Sequence, residues 1–328
     1  MFIIPYFGAL PDYFDLWMRS AECNPQYSFY LYTDADIAVP ADSNVKVFPA
    51  TFEKFRKRIY EKLGSDIKCN SPYKLCDYKP AYGLILEDEI REFPFWGFCD
   101  IDLILGKLDH FITDEMLESY DKLYLHGHFC LLRNNEKMRT LFMKKFDRVL
   151  DYRYAFSTDY ICHFDENGTI AYAQQYDSTI KAYFDWDFAD PSCQQYELKW
   201  GGETCFALWK NGILSLQHSE SEHQREILYI HLQKRKMERF PDVGHDAFCI
   251  FRNGFYPYSE GKDLKIPEKS AAEEEAFLSD CRKAEKRRTR QNIRTGAVRF
   301  RVNTWIHRWK MSLGADGTKN EKNPLSDP

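Results

Sequence analysis

The chain has 328 residues, enough for one large α/β domain with an appendage or for two smaller domains. Hydrophobic residues make up 44% and charged residues 29%, which excludes a wholly disordered chain. The net charge of −5 argues against nucleic acid as a partner, and no apolar run approaches the roughly 18 residues of a membrane span.

The elements follow in chain order. Phe2-Ile3-Ile4 is a short apolar run stopped by Pro5 and Gly8, the pattern of a buried parallel strand feeding a loop. Asp12 to Cys23 suits a helix, Tyr27 to Tyr32 a strand ending at Thr33-Asp34, and Asn44 to Phe48 a third strand. Thr51 to Leu63 is an amphipathic helix with Thr51 as its cap. This alternation predicts a doubly wound α/β sheet.

Pro72 to Ile90 reads as a helix broken near Pro80, and Phe95 to Phe98 as a strand ending at Cys99-Asp100-Ile101-Asp102. Lys122 to Leu125 and Phe129 to Leu132 read as strands around Gly127, and Asn135 to Leu150 as a helix. Ile170 to Leu198 reads as irregular. Glu203 to Trp209 and Ile213 to Leu216 form a predicted hairpin around Asn211-Gly212, and Glu226 to Leu232 a strand ending in His231. Beyond Pro257 the composition changes: 271–290 is a charged helix and 314–328 a tail without core pattern. The expected division is a body over 1–260, a basic helical extension over 261–313 and a disordered tail over 314–328.

Ten cysteines are scattered without a CxxC pair, so a zinc ribbon is not expected and buried thiols of a reducing compartment are. The opening MFIIPYFG has neither a basic region nor an apolar stretch long enough for a signal peptide. The expectation is a cytoplasmic protein.

Three constellations carry chemistry. Asp100 and Asp102, at i and i+2 of a strand end, present two carboxylates to the same side, suited to one hard divalent cation and a phosphate. Solvated loop aspartates are the plain alternative. Tyr229-Ile-His231-Leu-Gln-Lys234-Arg235-Lys236 combines an imidazole, which completes a Mn²⁺ site, with cations suited to a leaving diphosphate. Lys74 and Asp77, at i and i+3, share a helical face that suits nucleotide or sugar hydroxyls, or forms a surface ion pair. Between Asp102 and His231 in the chain, Asp165 and Glu166 are candidate catalytic carboxylates, or ordinary neighbours of an Asn167-Gly168 turn.

Ile4-Pro5-Tyr6-Phe7-Gly8, Leu31-Tyr32-Thr33-Asp34, Tyr73 to Gly83, Trp96 to Asp102 and Gly127 to Arg133, in that order, resemble a bacterial family of Asp-x-Asp glycosyltransferases of capsule, O-antigen and exopolysaccharide gene clusters. The likeness runs over most of 1–260. It extends to A-type retaining glycosyltransferases such as lipooligosaccharide galactosyltransferases and outer-chain mannosyltransferases. It implies an α/β fold with a single Rossmann-like mixed sheet flanked by helices, and a Mn²⁺ or Mg²⁺ ion on the diphosphate of a sugar nucleotide. Carried over, Asp100, Asp102 and His231 would be the metal ligands and Lys234 the phosphate contact, with Arg235 beside it a further cation for the leaving diphosphate. Ile4, Pro5 and Tyr6 would wrap the base, Asp34 would meet base or ribose, and Lys74 and Asp77 would help to bind the donor. Gly127-His128-Phe129 departs from the wider pattern, which carries Asn-Ser/Ala-Gly there.

The implied function is transfer of a hexose from a nucleotide sugar, a UDP-sugar, to a saccharide acceptor, free or lipid-linked, with retention of configuration. A metal-dependent sugar nucleotidyltransferase is the alternative among enzymes, although Pro5 to Gly8 is a poor phosphate loop. A non-catalytic carbohydrate-binding protein is the alternative outside them. Between Asp280 and Lys310 stand 11 Lys and Arg against two acids, with Trp305 and Trp309 near the end. This pattern suits an anionic membrane surface at the inner face of the cytoplasmic membrane.

Overall fold

Alternating apolar strands and amphipathic helices build the first half of the chain. The computed structural model describes residues 1–189, 198–201, 203–218, 223–233, 237–251 and 254–260, with scattered positions between 275 and 290. It is mixed α/β, with a large mixed sheet flanked by helices. Strand β1 (Phe2–Pro5) pairs in parallel with β2 (Phe29–Thr33), and β2 with β3 (Val45–Pro49). On the other side of β1 lies β4 (Phe95–Cys99), also parallel. The sheet continues antiparallel through β7 (Phe129–Arg133) and β6 (Lys122–His126), and ends on β8 (Ala182–Tyr183).

Side-chain alternation along β1 divides the core. Phe2 and Ile4 face a cluster that includes Trp17 and Leu16 of helix α1 (Phe14–Glu22). Ile3 faces the other way, onto Phe55 and Ile59 of α2 (Phe52–Leu63) and onto Trp96 and Phe98 of β4. Thr51 caps α2, accepting the Lys54 N–H at 3.3 Å.

The segment expected as one helix broken at Pro80 is a string of short turns. Pro72–Lys74 and Lys79–Ala81 are 3₁₀, and α3 (Leu75–Tyr78) and α4 (Tyr82–Ile85) are α. Next come α5 (Asp114–Ser119) and α6 (Glu136–Arg139), the latter capped by Asn135. The helix expected over Asn135 to Leu150 is therefore one turn of α followed by a 3₁₀ turn, Leu141–Met143. Burial of the adjacent Leu141 and Phe142 turns the chain there, and Arg148 takes a left-handed φ of 61°. The region expected as irregular, Ile170 to Leu198, opens inside helix α9 (Thr169–Tyr176), which α7 (Tyr152–Ser157) and α8 (Phe164–Asn167) precede.

The expected single sheet is joined by two others. A three-stranded ribbon runs β5 (Leu103–Leu105), β14 (Tyr229–His231), β9 (Phe188–Ala189). The third sheet, mostly antiparallel, is built from β10 (Lys199–Trp200), β11 (Glu203–Lys210), β12 (Ile213–His218), β13 (Gln224–Glu226), β15 (Glu238–Arg239), β16 (Ala247–Phe251) and β17 (Gly254–Pro257). The β11–β12 hairpin turns at Asn211 (φ 50°) and Gly212 (φ 89°), the two positive values that a tight primed turn requires. The charged extension and tail lie almost wholly outside the described residues. Those described, among them Glu275, Arg282, Lys286 and Arg290, are helical. No helix among the described residues is long and apolar enough to cross a membrane.

Lys122 is buried in β6, where its ammonium donates to the Ile170 carbonyl, and burial pulls its pKa from 10.5 to about 8. Below pH 8 the folded state carries a poorly solvated charge that the unfolded chain keeps in water. Between pH 8 and 10.5 the unfolded chain binds the extra proton, so the penalty fades as pH rises. Lys122→Met is expected to be more stable than wild type by about 1–3 kcal/mol below pH 8, with the difference closing toward pH 10.5. Urea unfolding of both proteins across that range measures it.

Candidate functional site

A doubly wound sheet opens a crevice where its strand order reverses, at the carboxyl ends of the strands. Here the reversal falls between β1 and β4. A cleft of about 580 Å³ lies there, within the size range of small-molecule sites. One wall is the end of β1 and its loop, Ile3 to Phe7. The other is the end of β4, Phe98 to Asp102. Tyr73, Cys76 and Lys79 close it from the broken helical segment.

Ile4, Pro5 and Tyr6 line the cleft, and the Tyr6 hydroxyl donates to the Ala9 carbonyl at 2.9 Å. Asp34 is exposed and does not line it. Its carboxylate accepts the Gly8 N–H at 2.9 Å, so it shapes the loop rather than the wall.

The two aspartates lie in the turn between β4 and β5, not on the strand, and face different partners. Asp100 accepts from Lys79 at 2.6 Å. Asp102 Oδ2 lies 3.6 Å from His231 Nε2. The second contact arises because β14 runs antiparallel to β5 with His231 opposite Leu103, one residue past Asp102. The Leu232 N–H donates to the Asp102 carbonyl at 2.8 Å and extends the ladder by one bond. Residues 129 apart in sequence thus meet at the rim of the cleft, though across the ribbon and not within the large sheet as expected.

His231 is held in a stack. Its ring lies 4.1 Å from that of His128, which lies 5.1 Å from His126. His128 also bonds the Tyr229 hydroxyl through Nε2 at 3.0 Å. Burial, then the neighbouring imidazoles, push the His128 pKa well below its ordinary value, so this ring is neutral at physiological pH. Sequence reasoning left His126 and His128 without a role. Their alternate placement around Gly127 was the legible hint, but only the fold puts His128 against His231.

Lys79, on the same polar segment as Lys74 and Asp77, is the cation that lines the cleft. Its ammonium donates to Asp100 Oδ1 and to the Gly127 carbonyl, each at 2.6 Å, and lies 3.4 Å from Asp165 Oδ2. Burial pulls its pKa down, but the carboxylates outweigh it and hold the group well above its ordinary value, fully charged. Asp165 shows the opposite balance: burial, beyond the help of Lys79, pushes its carboxyl well above the usual range. Gly127 sits so close over this pair that a Cβ would lie 2.6 Å from Glu166 Cγ and 2.7 Å from Asp165 Oδ2.

Two expectations are corrected. Lys74 and Asp77 do not line the cleft. They are a buried ion pair, 2.6 Å apart and 2% and 0% exposed, so they are neither donor contacts nor a surface pair. Asp77 also accepts the N–H groups of Cys162 and Phe164 at 2.9 Å each, and Lys74 donates to the Ala155 carbonyl at 2.8 Å. All their hydrogen bonds are spent inside the fold, anchoring 155–164. Asp165 is buried behind Lys79 and Glu166 is exposed; neither lines the cleft. Lys234 and Arg235 lie outside the described residues.

Residues 2–259 match a family of unknown function (DUF6625). The chain belongs to this family. No curated protein and no solved structure matches it. The matched span takes in β1 through β17, so every cleft residue described here falls within the family region.

Removing Asp77 strands the Lys74 ammonium in the core and frees two backbone donors. Asp77→Ala is expected to cost about 3–5 kcal/mol in urea unfolding, as for other broken buried pairs. A loss below 1 kcal/mol would mean that the pair is dispensable.

Proposed function

We propose that the chain is a metal-dependent glycosyltransferase of A-type fold, moving a hexose from a UDP-sugar to a saccharide acceptor of surface-polysaccharide assembly. The observation that carries the reading is the approach of His231 Nε2 to Asp102 Oδ2, 3.6 Å apart, beside Asp100 at the strand-order reversal. Two carboxylates and an imidazole are a mixed oxygen and nitrogen donor set, which fits Mn²⁺ and, less well, Mg²⁺. Asp100, Asp102 and His231 would hold the ion. When bound, it would neutralise charge on the departing diphosphate.

The chain's own residues have defined parts in this reading. Ile4, Pro5 and Tyr6 offer the apolar wall for the nucleoside end. Lys79 keeps the Asp100 carboxylate ionised and fixed, because its ammonium is itself fixed by Gly127 and Asp165. His128 fixes the plane of the His231 ring. Asp165 acts through Lys79, so in this reading it is a positioning residue and not a catalytic one. Lys234, three residues past His231, would meet the phosphates as the resemblance implies, with Arg235 beside it. Retention of configuration rests on that resemblance.

The reading is tested by incubating the protein with a panel of nucleotide sugars and Mn²⁺ and measuring released nucleoside diphosphate. Asp102→Asn is expected to lose the Mn²⁺-dependent part of UDP binding in calorimetry, at least tenfold in affinity, with its unfolding midpoint unchanged. Equal Mn²⁺-dependent affinity in both proteins would remove the reading.

The basic extension belongs to the same proposal. Eleven cations between Asp280 and Lys310 attract anionic headgroups by about 1 kcal/mol each near the surface. The full chain is expected to float with anionic vesicles at low salt and less so at high salt, as screening shortens the reach of its charges. Failure to float at low salt would leave the extension without a membrane role.

A further inference from the structure

Beside the cleft lies a second group of metal-type side chains. The ligand atoms of Cys76, His163 and Asp165 all lie within 4.8 Å of one another. Cys76 comes from α3, and His163 and Asp165 from the start of α8, two elements already joined by the Asp77 bonds to Cys162 and Phe164. The three donors are therefore carried by a braced frame. A tetrahedral zinc ion holds its donors roughly 3.3–3.8 Å apart, as bonds of about 2.0–2.3 Å dictate. Closing the observed group onto an ion needs movements of about 1 Å, within the reach of side-chain rotation.

A second observation points into the group. Asp165 is 4% exposed, and its Oδ1 is buried without a hydrogen-bond partner. Its other oxygen, Oδ2, is the one that faces Lys79 at 3.4 Å. A buried carboxylate oxygen with nothing to accept is costly unless a cation or donor takes it.

We propose that Cys76, His163 and Asp165 form a binding site for a thiophilic divalent cation, with zinc the fitting one. One thiolate, one imidazole and one carboxylate is a three-ligand set of the kind that leaves a fourth position open. That position adjoins the cleft, since Cys76 lines it, as does Tyr73, whose ring meets His163 edge-on at 6.4 Å. The charges balance. A thiolate and a carboxylate neutralise the divalent ion, and Lys79 is neutralised by Asp100. A thiolate ligand disfavours Mn²⁺ and Mg²⁺, so the site is chemically distinct from Asp100, Asp102 and His231. It does not depend on the glycosyltransferase reading.

The test uses the full chain, stripped with chelator and titrated with Co²⁺ and then Zn²⁺. Wild type is expected to bind one Co²⁺ with a thiolate-to-cobalt charge-transfer band, and Zn²⁺ is expected to displace it. Cys76→Ser is expected to abolish the band. His163→Asn, which keeps a residue tolerant of the left-handed backbone at that position, is expected to weaken Zn²⁺ binding at least tenfold. Both variants are checked for unchanged far-ultraviolet circular dichroism. Asp102→Asn is expected to keep the band, which separates this site from the one in the cleft turn. No band in wild type, or a band of equal intensity in Cys76→Ser, would overturn the proposal.

Discussion

The buried ammonium of Lys79 is the interaction on which the site depends. Taking a cation out of water costs several kcal/mol, and only close, well-placed partners repay it. Lys79 finds them in Asp100 at the end of β4, the Gly127 carbonyl between β6 and β7, and Asp165 in α8. Each partner comes from a different part of the chain. The charge can be buried only if all three arrive together, so the same contact that satisfies Lys79 fixes the floor of the cleft. Gly127 is part of the arrangement because a Cβ there would press on Asp165 and Glu166.

The rim depends on a different constraint. Asp102 and His231 meet because β14 pairs with β5 in one antiparallel register. A slip of one residue would turn His231 to the opposite face of the ribbon. The register is held by packing: Tyr229 stacks on Phe188 at 4.9 Å and on Phe129 at 5.0 Å, and both partners are buried. The ribbon therefore joins the late part of the chain to the large sheet, and the hydrophobic cluster that covers both extends into the third sheet through Trp209 and Phe248.

Lys74 and Asp77 show how a motif can be read correctly as a pair and wrongly as a site. Their spacing placed them on one helical face, and they do touch. Their depth was not legible, because depth depends on what covers α3. The cover is the 155–164 segment, which returns about 80 residues later to bond both side chains.

Local pattern by itself determined much of this protein. Apolar runs gave β1, β2 and β4, Thr51 gave the start of α2, and Asn211-Gly212 gave the β11–β12 hairpin. Each rests on forces within a few residues: side-chain alternation, a capping oxygen, a positive φ. The Asp-x-Asp turn and His231 were legible as candidates for the same reason, because their residue types and strand-end positions are local facts. Tertiary structure alone decided which partner each carboxylate faces, that Lys79 rather than Lys74 borders the cleft, that His128 stacks on His231, and that the 135–150 segment breaks after one turn. These outcomes turn on desolvation and on contacts between residues tens to more than a hundred positions apart. Such contacts leave no periodic trace in the sequence, because the free energy of burying a charge depends on neighbours that only the folded chain supplies.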